Sequence, residues 1–330
     1  MGSCGVTKSR NRAVFGVLFL VLLFFIVLMV FASYTIRAFQ AESGGLSDPR
    51  GQIAVVKVEG VIMDSKETIE LLHRAEKAKD VKAIIVRVNS PGGAVGPTQE
   101  IYQEIRRIDG AYQLSLKQAE SEKDKDIKYP VGTEPKPIYA SFGALAASGG
   151  YYIGSATRKI FANPGTMTGS IGVIMQFVDM SKLYEFVKIN PQTIKSGKYK
   201  DIGQPTRPLT REERELMKGM LNGVREQFKN DILFTRKGLL KRDIEELAQG
   251  QIFTGELAHE YGLVDELGGL WYAGRSVYEE LGLKGEFNLR FIEKNKKLSL
   301  WDIMEGFDTL ATNLGFKGWV DGAPLLMFKL

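Results

Sequence analysis

The 330-residue chain carries 44 Lys+Arg against 39 Asp+Glu, with 44% hydrophobic and 25% charged residues, a composition that excludes the fibrous and disordered classes. Lys8, Arg10, Arg12 and Arg37 supply four of the five net positive charges, and residues 1–40 hold no acid, so the remaining 290 residues are nearly neutral and give no case for a nucleic-acid partner. Cys4 is the single cysteine and His73 and His259 are the two histidines, which excludes a disulfide framework or a multi-cysteine metal site within one chain and leaves little for a site built on imidazoles.

Residues 1–12 form a short basic segment expected in the cytoplasm. Residues 13–32 follow without a charge, about 30 Å as a helix, and predict a membrane span over 13–33. The run exceeds the roughly 7–15 apolar residues of a signal-peptide core, and Ser33-Tyr34-Thr35-Ile36-Arg37 is a poor cleavage site, so the span is expected to stay as an anchor. Three bases precede it and only Arg37 follows closely, which orients the N-terminus inward and the bulk of the chain outward. The expected location is therefore the inner (cytoplasmic) membrane, single-pass, with the larger part periplasmic or extracellular.

Residues 34–51, with Ser43-Gly44-Gly45, Pro49 and Gly51, read as a linker. Beyond it lies an expected domain over 52–292. Strands at 53–58 and 83–88 alternate with helices at about 65–79 and 97–107, the βαβ rhythm of a largely parallel sheet. A strand at 137–141 is delayed by residues 110–135, whose charge run at 117–128 reads as a solvated insertion, in part helical. Thr210 and Glu213 make a capping box that opens a helix to about 237. A short helix at 254–262 ends at Gly262, and a helix at 270–281 and a strand at 287–292 close the body. The tail, 293–330, contains an amphipathic stretch expected to pack on the domain or a neighbour.

N-S-P-G-G at 89–93 follows a strand, and its consecutive glycines suit an oxyanion hole as well as they suit an ordinary turn. Ser148, in A-A-S-G-G at 146–150, has small neighbours that leave its hydroxyl accessible. A nucleophilic serine needs a base, and neither histidine sits near such a motif. Lysine remains, provided burial lowers its pKa from about 10.4. Lys198 and Lys200, after a strand-like T-I-K, are the candidates.

Together with N-P-G-T-M-T-G-S-I-G-V at 163–173, G-K-Y-K-D-I-G at 197–203 and T-G-E-L-A-H-E-Y-G-L-V-D-E-L-G-G at 254–269, these motifs resemble the short single-domain form of the signal peptide peptidase A family. The resemblance covers roughly 52–292. It implies an α/β, Clp-protease/crotonase-like fold of repeated β-β-α units, preceded here by the transmembrane helix. It implies a serine endopeptidase with Ser148 as nucleophile, Lys200 as general base and Ser170 hydrogen-bonded to the lysine amine. The amides of Gly93 and Gly149 would form the oxyanion hole, with Gly92 as a substitute for Gly93. It further implies peptide substrates (signal peptides and unfolded segments), a homo-oligomeric ring whose dyad forms between neighbours, and no metal or organic cofactor. The competing readings are a crotonase-type acyl-CoA enzyme and a catalytically silent scaffold that binds membrane proteins.

Overall fold

The computed structural model describes residues 51–120 and 135–293, and the single position Leu23. The expected basic segment, membrane span and tail lie outside these residues apart from Leu23 and Glu293, as does most of the insertion. Among the described residues no helix is long and apolar enough to cross a membrane.

In chain order the elements are β1 (Ile53–Glu59), α1 (Lys66–Lys77), β2 (Ala83–Ser90), α2 (Val95–Glu120), β3 (Ile138–Ala147), α3 (Gly149–Ser155), β4 (Ile160–Ala162) and β5 (Met167–Gly169). There follow α4 (Ser181–Phe186), α5 (Arg211–Arg236), α6 (Ile244–Leu247), β6 (Ile252–Thr254), α7 (Gly255–Glu260), β7 (Glu266–Leu267), α8 (Leu270–Glu280) and β8 (Leu289–Phe291). One sheet runs β6-β5-β3-β2-β1-β8, with β4 joined to β3 and β7. Every pairing is parallel except β5 with β6.

The Ile/Val-rich strands are buried on both faces, as parallel sheets require. In β1, Ala54, Val56 and Val58 enter the larger core, shared with α1, α2, α3 and α5. Ile53 and Val55 enter a smaller core against α8 and β8. The period of two thus sends alternate side chains of one strand into two hydrophobic layers. At about 25 cal/mol per Å² of apolar area, these two layers are the main stabilising term of the fold.

The expected β-β-α unit survives in reduced form. After β1 comes the bridge residue Ile62 before α1, and after β2 comes Gly93 before α2, the two residues bridging each other. In β3 the register shifts instead: Ile138–Phe142 and then Ala146 pair with β2, and Leu145–Ala147 pair with β5. β3 therefore runs six residues past the expected end at 141 and delivers the chain to Ser148.

Two other elements differ from expectation. α2 continues from the expected end near 107 to Glu120, so the first part of the charged stretch is helix. The strand-like T-I-K at 193–195 is irregular, and Ile194 is fully exposed with no strand beside it. The capping box is as expected: Glu213 N donates to Thr210 Oγ1 at 3.2 Å, and Thr210 N donates to Glu213 Oε2 at 2.9 Å. The far end of α5 is held by buried Arg236, which donates to Asp265 at 2.9 and 3.0 Å and to the Gly262 carbonyl at 3.0 Å.

Candidate active site

The carboxyl ends of β1, β2, β3 and β5 open on one cleft of about 630 Å³, the position at which open parallel sheets bind ligands. Ser148, Ser170, Gly92, Gly93 and Gly149 all line it. Sequence reasoning missed the wall supplied by α5, where Val224, Arg225 and Phe228 face the cleft from the amphipathic side of a long helix.

Ser148 stands between β3 and α3 at φ 52° and ψ −119°, a conformation that costs an L-residue of order 1–3 kcal/mol. The sharp turn lifts the side chain off the sheet at the head of a helix, the geometry of a nucleophile elbow. Two neighbours enforce it. The Ser148 amide donates to the Gly169 carbonyl at 2.9 Å, and the Ser148 carbonyl accepts from the Tyr152 amide at 2.9 Å.

Two amides beside this serine are free to bind an oxyanion. Gly149 is the first residue of α3, so its N–H has no intrahelical acceptor. The bridge between Ile62 and Gly93 uses the Gly92 carbonyl and the Ala94 amide, which leaves the Gly93 N–H facing away from Ile62. The Gly93 nitrogen lies 3.3 Å from where a Cβ on Gly149 would stand, so the two glycines are immediate neighbours. Gly92 drops out as a substitute donor, because its amide already donates to Ser90 Oγ at 3.0 Å. Its role is steric: at φ +96° it sits so near the elbow that a Cβ would fall 2.6 Å from the Gly149 nitrogen.

Ser170 follows β5 directly. Since Ala147 pairs with Gly169, the next residue on each strand is a serine, and Ser170 also has a positive φ, 51°. Its amide donates to the Gln251 carbonyl at 2.7 Å, leaving the hydroxyl to the cleft.

Lys200 lies elsewhere. It occupies an exposed turn, residues 198–203, and is not part of the cleft wall within its own chain. Its neighbours are engaged: Lys198 pairs with Glu212, Tyr199 donates to the same carboxylate, and Lys195 donates to Asp201 at 2.7 Å. No acid among the described residues pairs with Lys200. The Glu212 hydrogen bond also holds the Lys198 ammonium above its ordinary pKa.

Comparison with known proteins shows the family. A model of peptidase family S49 matches residues 132–284. A protease-named protein of Synechocystis sp. is 37% identical over 221 residues, covering 66% of this chain and 70% of that relative. The chain belongs to peptidase family S49. "Serine protease SPPA, chloroplastic" of Arabidopsis thaliana is 30% identical over 294 residues, 84% of this chain and 40% of that protein. "Protease 4" of Haemophilus influenzae is 30% identical over 226 residues, 66% of this chain and 33% of that protein. The chain thus spans well under half the length of these last two S49 relatives.

The S49 match takes in Ser148, Ser170 and Lys200 together. Neither histidine is at the site: His259 Nδ1 lies 3.2 Å from the Val264 carbonyl, and His73 Nε2 lies 2.6 Å from Glu104 between α1 and α2. His73, Glu76 and Glu104 bring three ligand atoms within 4.8 Å of one another. Arg107 bridges the two carboxylates at 2.7 Å each, so this group is an ion-pair network joining two helices.

Proposed function

We propose that the protein is a membrane-anchored serine endopeptidase in which Ser148 is the nucleophile and Lys200 the general base, acting on remnant signal peptides and other hydrophobic or unfolded segments. The observation that carries the reading is the strained turn at Ser148 beside the free amides of Gly93 and Gly149. Neither acyl-CoA chemistry nor a passive scaffold has use for a serine held at that cost. The walls of Val95, Val173, Val224 and Phe228 suit an apolar peptide.

The chemistry is acyl transfer. Ser148 Oγ attacks the scissile carbonyl while its proton passes to the neutral Lys200 amine. The developing oxyanion is bound by Gly93 N–H and Gly149 N–H, which cost no reorganisation because the backbone already holds them. The ammonium then protonates the leaving amine as the C–N bond breaks. Water, losing its proton to the regenerated amine, releases the acyl group from Ser148. The Ser170 hydroxyl accepts a hydrogen bond from the amine and so aims its lone pair at Ser148.

In this reading the lysine comes from the next protomer of a homo-oligomeric ring. Support comes from the exposed arm at 174–199 that leads to it, with Ile174, Phe186 and Ile194 bare to solvent. The segment 13–33 anchors the ring with the catalytic domain on the periplasmic or extracellular side. The test is labelling of the full-length protein with a serine-directed fluorophosphonate, alongside hydrolysis of short apolar peptides. Ser148→Ala should lose both label and hydrolysis. A Ser148→Ala protein that still hydrolyses the peptides would sink the proposal.

A further inference from the structure

The turn that carries Lys200 is pinned on both flanks while its lysine is left bare. Asp201, the next residue, is only 7% exposed although the surrounding arm is open to solvent. Its carboxylate accepts from Arg207 Nε at 2.9 Å and Arg207 Nη2 at 2.9 Å, a two-toothed fork. The same guanidinium makes a second fork: Nη1 and Nη2 donate to Glu213 at 2.8 and 2.6 Å. Glu213 is 3% exposed and already fixed to the first turn of α5 by the capping box. Lys195 closes the other side, donating to Asp201 Oδ1 at 2.7 Å and to the Lys198 carbonyl at 3.1 Å.

We propose that Arg207 is a positioning residue for the Lys200 base, locking the Lys200–Asp201 turn to the N-terminal turn of α5. This rests on the reading of Lys200 given above. A base on a flexible four-carbon stem acts only within hydrogen-bond reach of its serine, and a misplacement near 1 Å can cost about 10²-fold in rate. The connection from α5 through Glu213, Arg207 and Asp201 to Lys200 is made of charged, paired contacts, and Arg207 keeps both carboxyls ionised, holding Asp201 and Glu213 below the usual carboxylate range. Lysine cannot substitute: an ammonium is a point donor, and the site needs a planar fork facing two carboxylates at once. The start of α5 does not depend on Arg207, since the Glu213 amide donates to Thr210 Oγ1. Asp201, Arg207 and Glu213 stay out of the cleft wall, and Asp201 is the chain neighbour of the lysine.

The test compares Arg207→Lys, Arg207→Ala, Asp201→Asn and the Arg207→Ala/Asp201→Asn double variant with Lys200→Ala, in full-length assembled protein. For each, kcat, KM, thermal midpoint and oligomer size are measured on a short apolar peptide. Expected is a fall in kcat of about 10–100-fold for Arg207→Lys and Arg207→Ala, with KM within about 2-fold and oligomer size unchanged. The double variant should be no worse than the poorer single, because both cut one connection. Wild-type kcat in both Arg207 variants beside a dead Lys200→Ala would overturn this inference and leave the base assignment standing. A loss of kcat matched by loss of the oligomer would overturn it too, since Arg207 would then serve assembly. An active Lys200→Ala would remove the base assignment, and this inference with it.

Discussion

The amide of Ser148 donates to the carbonyl of Gly169 at 2.9 Å, and through that bond the turn after β3 is keyed to the turn after β5. Both strands end in register, and both turns put a serine at positive φ into one cleft. The strain at the first of these serines is measurable. Ser148→Gly and Ser148→Ala should both be inactive. Glycine occupies φ 52° without steric cost, so after its larger unfolded-state entropy is subtracted, Ser148→Gly should be more stable than Ser148→Ala by about 1 kcal/mol. Denaturant unfolding of the two inactive proteins gives the comparison. Equal midpoints, or a more stable alanine variant, would mean the elbow is relaxed.

Ser170→Ala should reduce kcat by about 10–1000-fold without abolishing turnover, because it deletes one orienting hydrogen bond and leaves nucleophile and base in place. The fold should survive, since Ser170 is held through its backbone amide to Gln251. A wild-type rate would return Ser170 to a purely structural place at the end of β5.

Gly93, in the β2–α2 connection, and Gly96, in the first turn of α2, separate catalytic from steric need. A Cβ on Gly93 would lie on the Ile62 carbonyl oxygen, whereas a Cβ on Gly96 meets nothing within 4 Å. Gly93→Ala should therefore displace the amide proposed to bind the oxyanion and lower kcat by about 10²–10³-fold, the usual effect of losing one such donor. Gly96→Ala should be indistinguishable from wild type in kcat and slightly more stable. Equal activity in the two variants would exclude Gly93 from the oxyanion hole.

The arm should be acid-sensitive. Hydrogen bonds from Arg207, then the Thr210 amide, hold the Glu213 carboxyl down at about 2, and Arg207 followed by Lys195 holds Asp201 lower still. A carboxyl lowered by folding contributes its full stability above the unfolded value near 4 and loses it as pH falls through the folded value. Local protection of the 198–203 turn, read by hydrogen exchange, should thus be constant above about pH 5 and decline toward pH 2. In Glu213→Gln that decline should be shallower. A wild-type acid response in the variant would show that Glu213 does not titrate with the arm.

Much of this site was legible because local chemistry announced it. β-branched runs marked β1 and β2, the Thr210 and Glu213 pair marked the start of α5, and consecutive glycines after strands marked two of the turns that line the cleft. What escaped had no local signature. Gly143 and small residues hid the continuation of β3 to Ala147, because its second half is strand through pairing with β5 and, past an irregularity, with Ser90 of β2. The charge run after residue 110 suits a solvated helix and a solvated loop alike, so α2 looked shorter than it is. Ion pairs between Arg207 and both Asp201 and Glu213 follow no helical or strand period. T-I-K had β-propensity but no partner, and propensity without a neighbour makes no strand.

The last expectation concerns assembly. Ser148 and Lys200 lie 52 residues apart, and within one chain the cleft is lined by the serine and not by the lysine. If neighbours share the site, Ser148→Ala and Lys200→Ala protomers, each dead alone, should complement when dissociated, mixed one to one and reassembled. An interface works when its serine comes from a Lys200→Ala chain and its lysine from a Ser148→Ala chain, so roughly a quarter of sites recover under random mixing in a closed head-to-tail ring. A site formed within one chain yields none, because every chain then lacks one member of the dyad. Co-assembly is checked by placing different affinity tags on the two variants and recovering both through either tag. Background activity in a verified mixed ring would rule out the shared site.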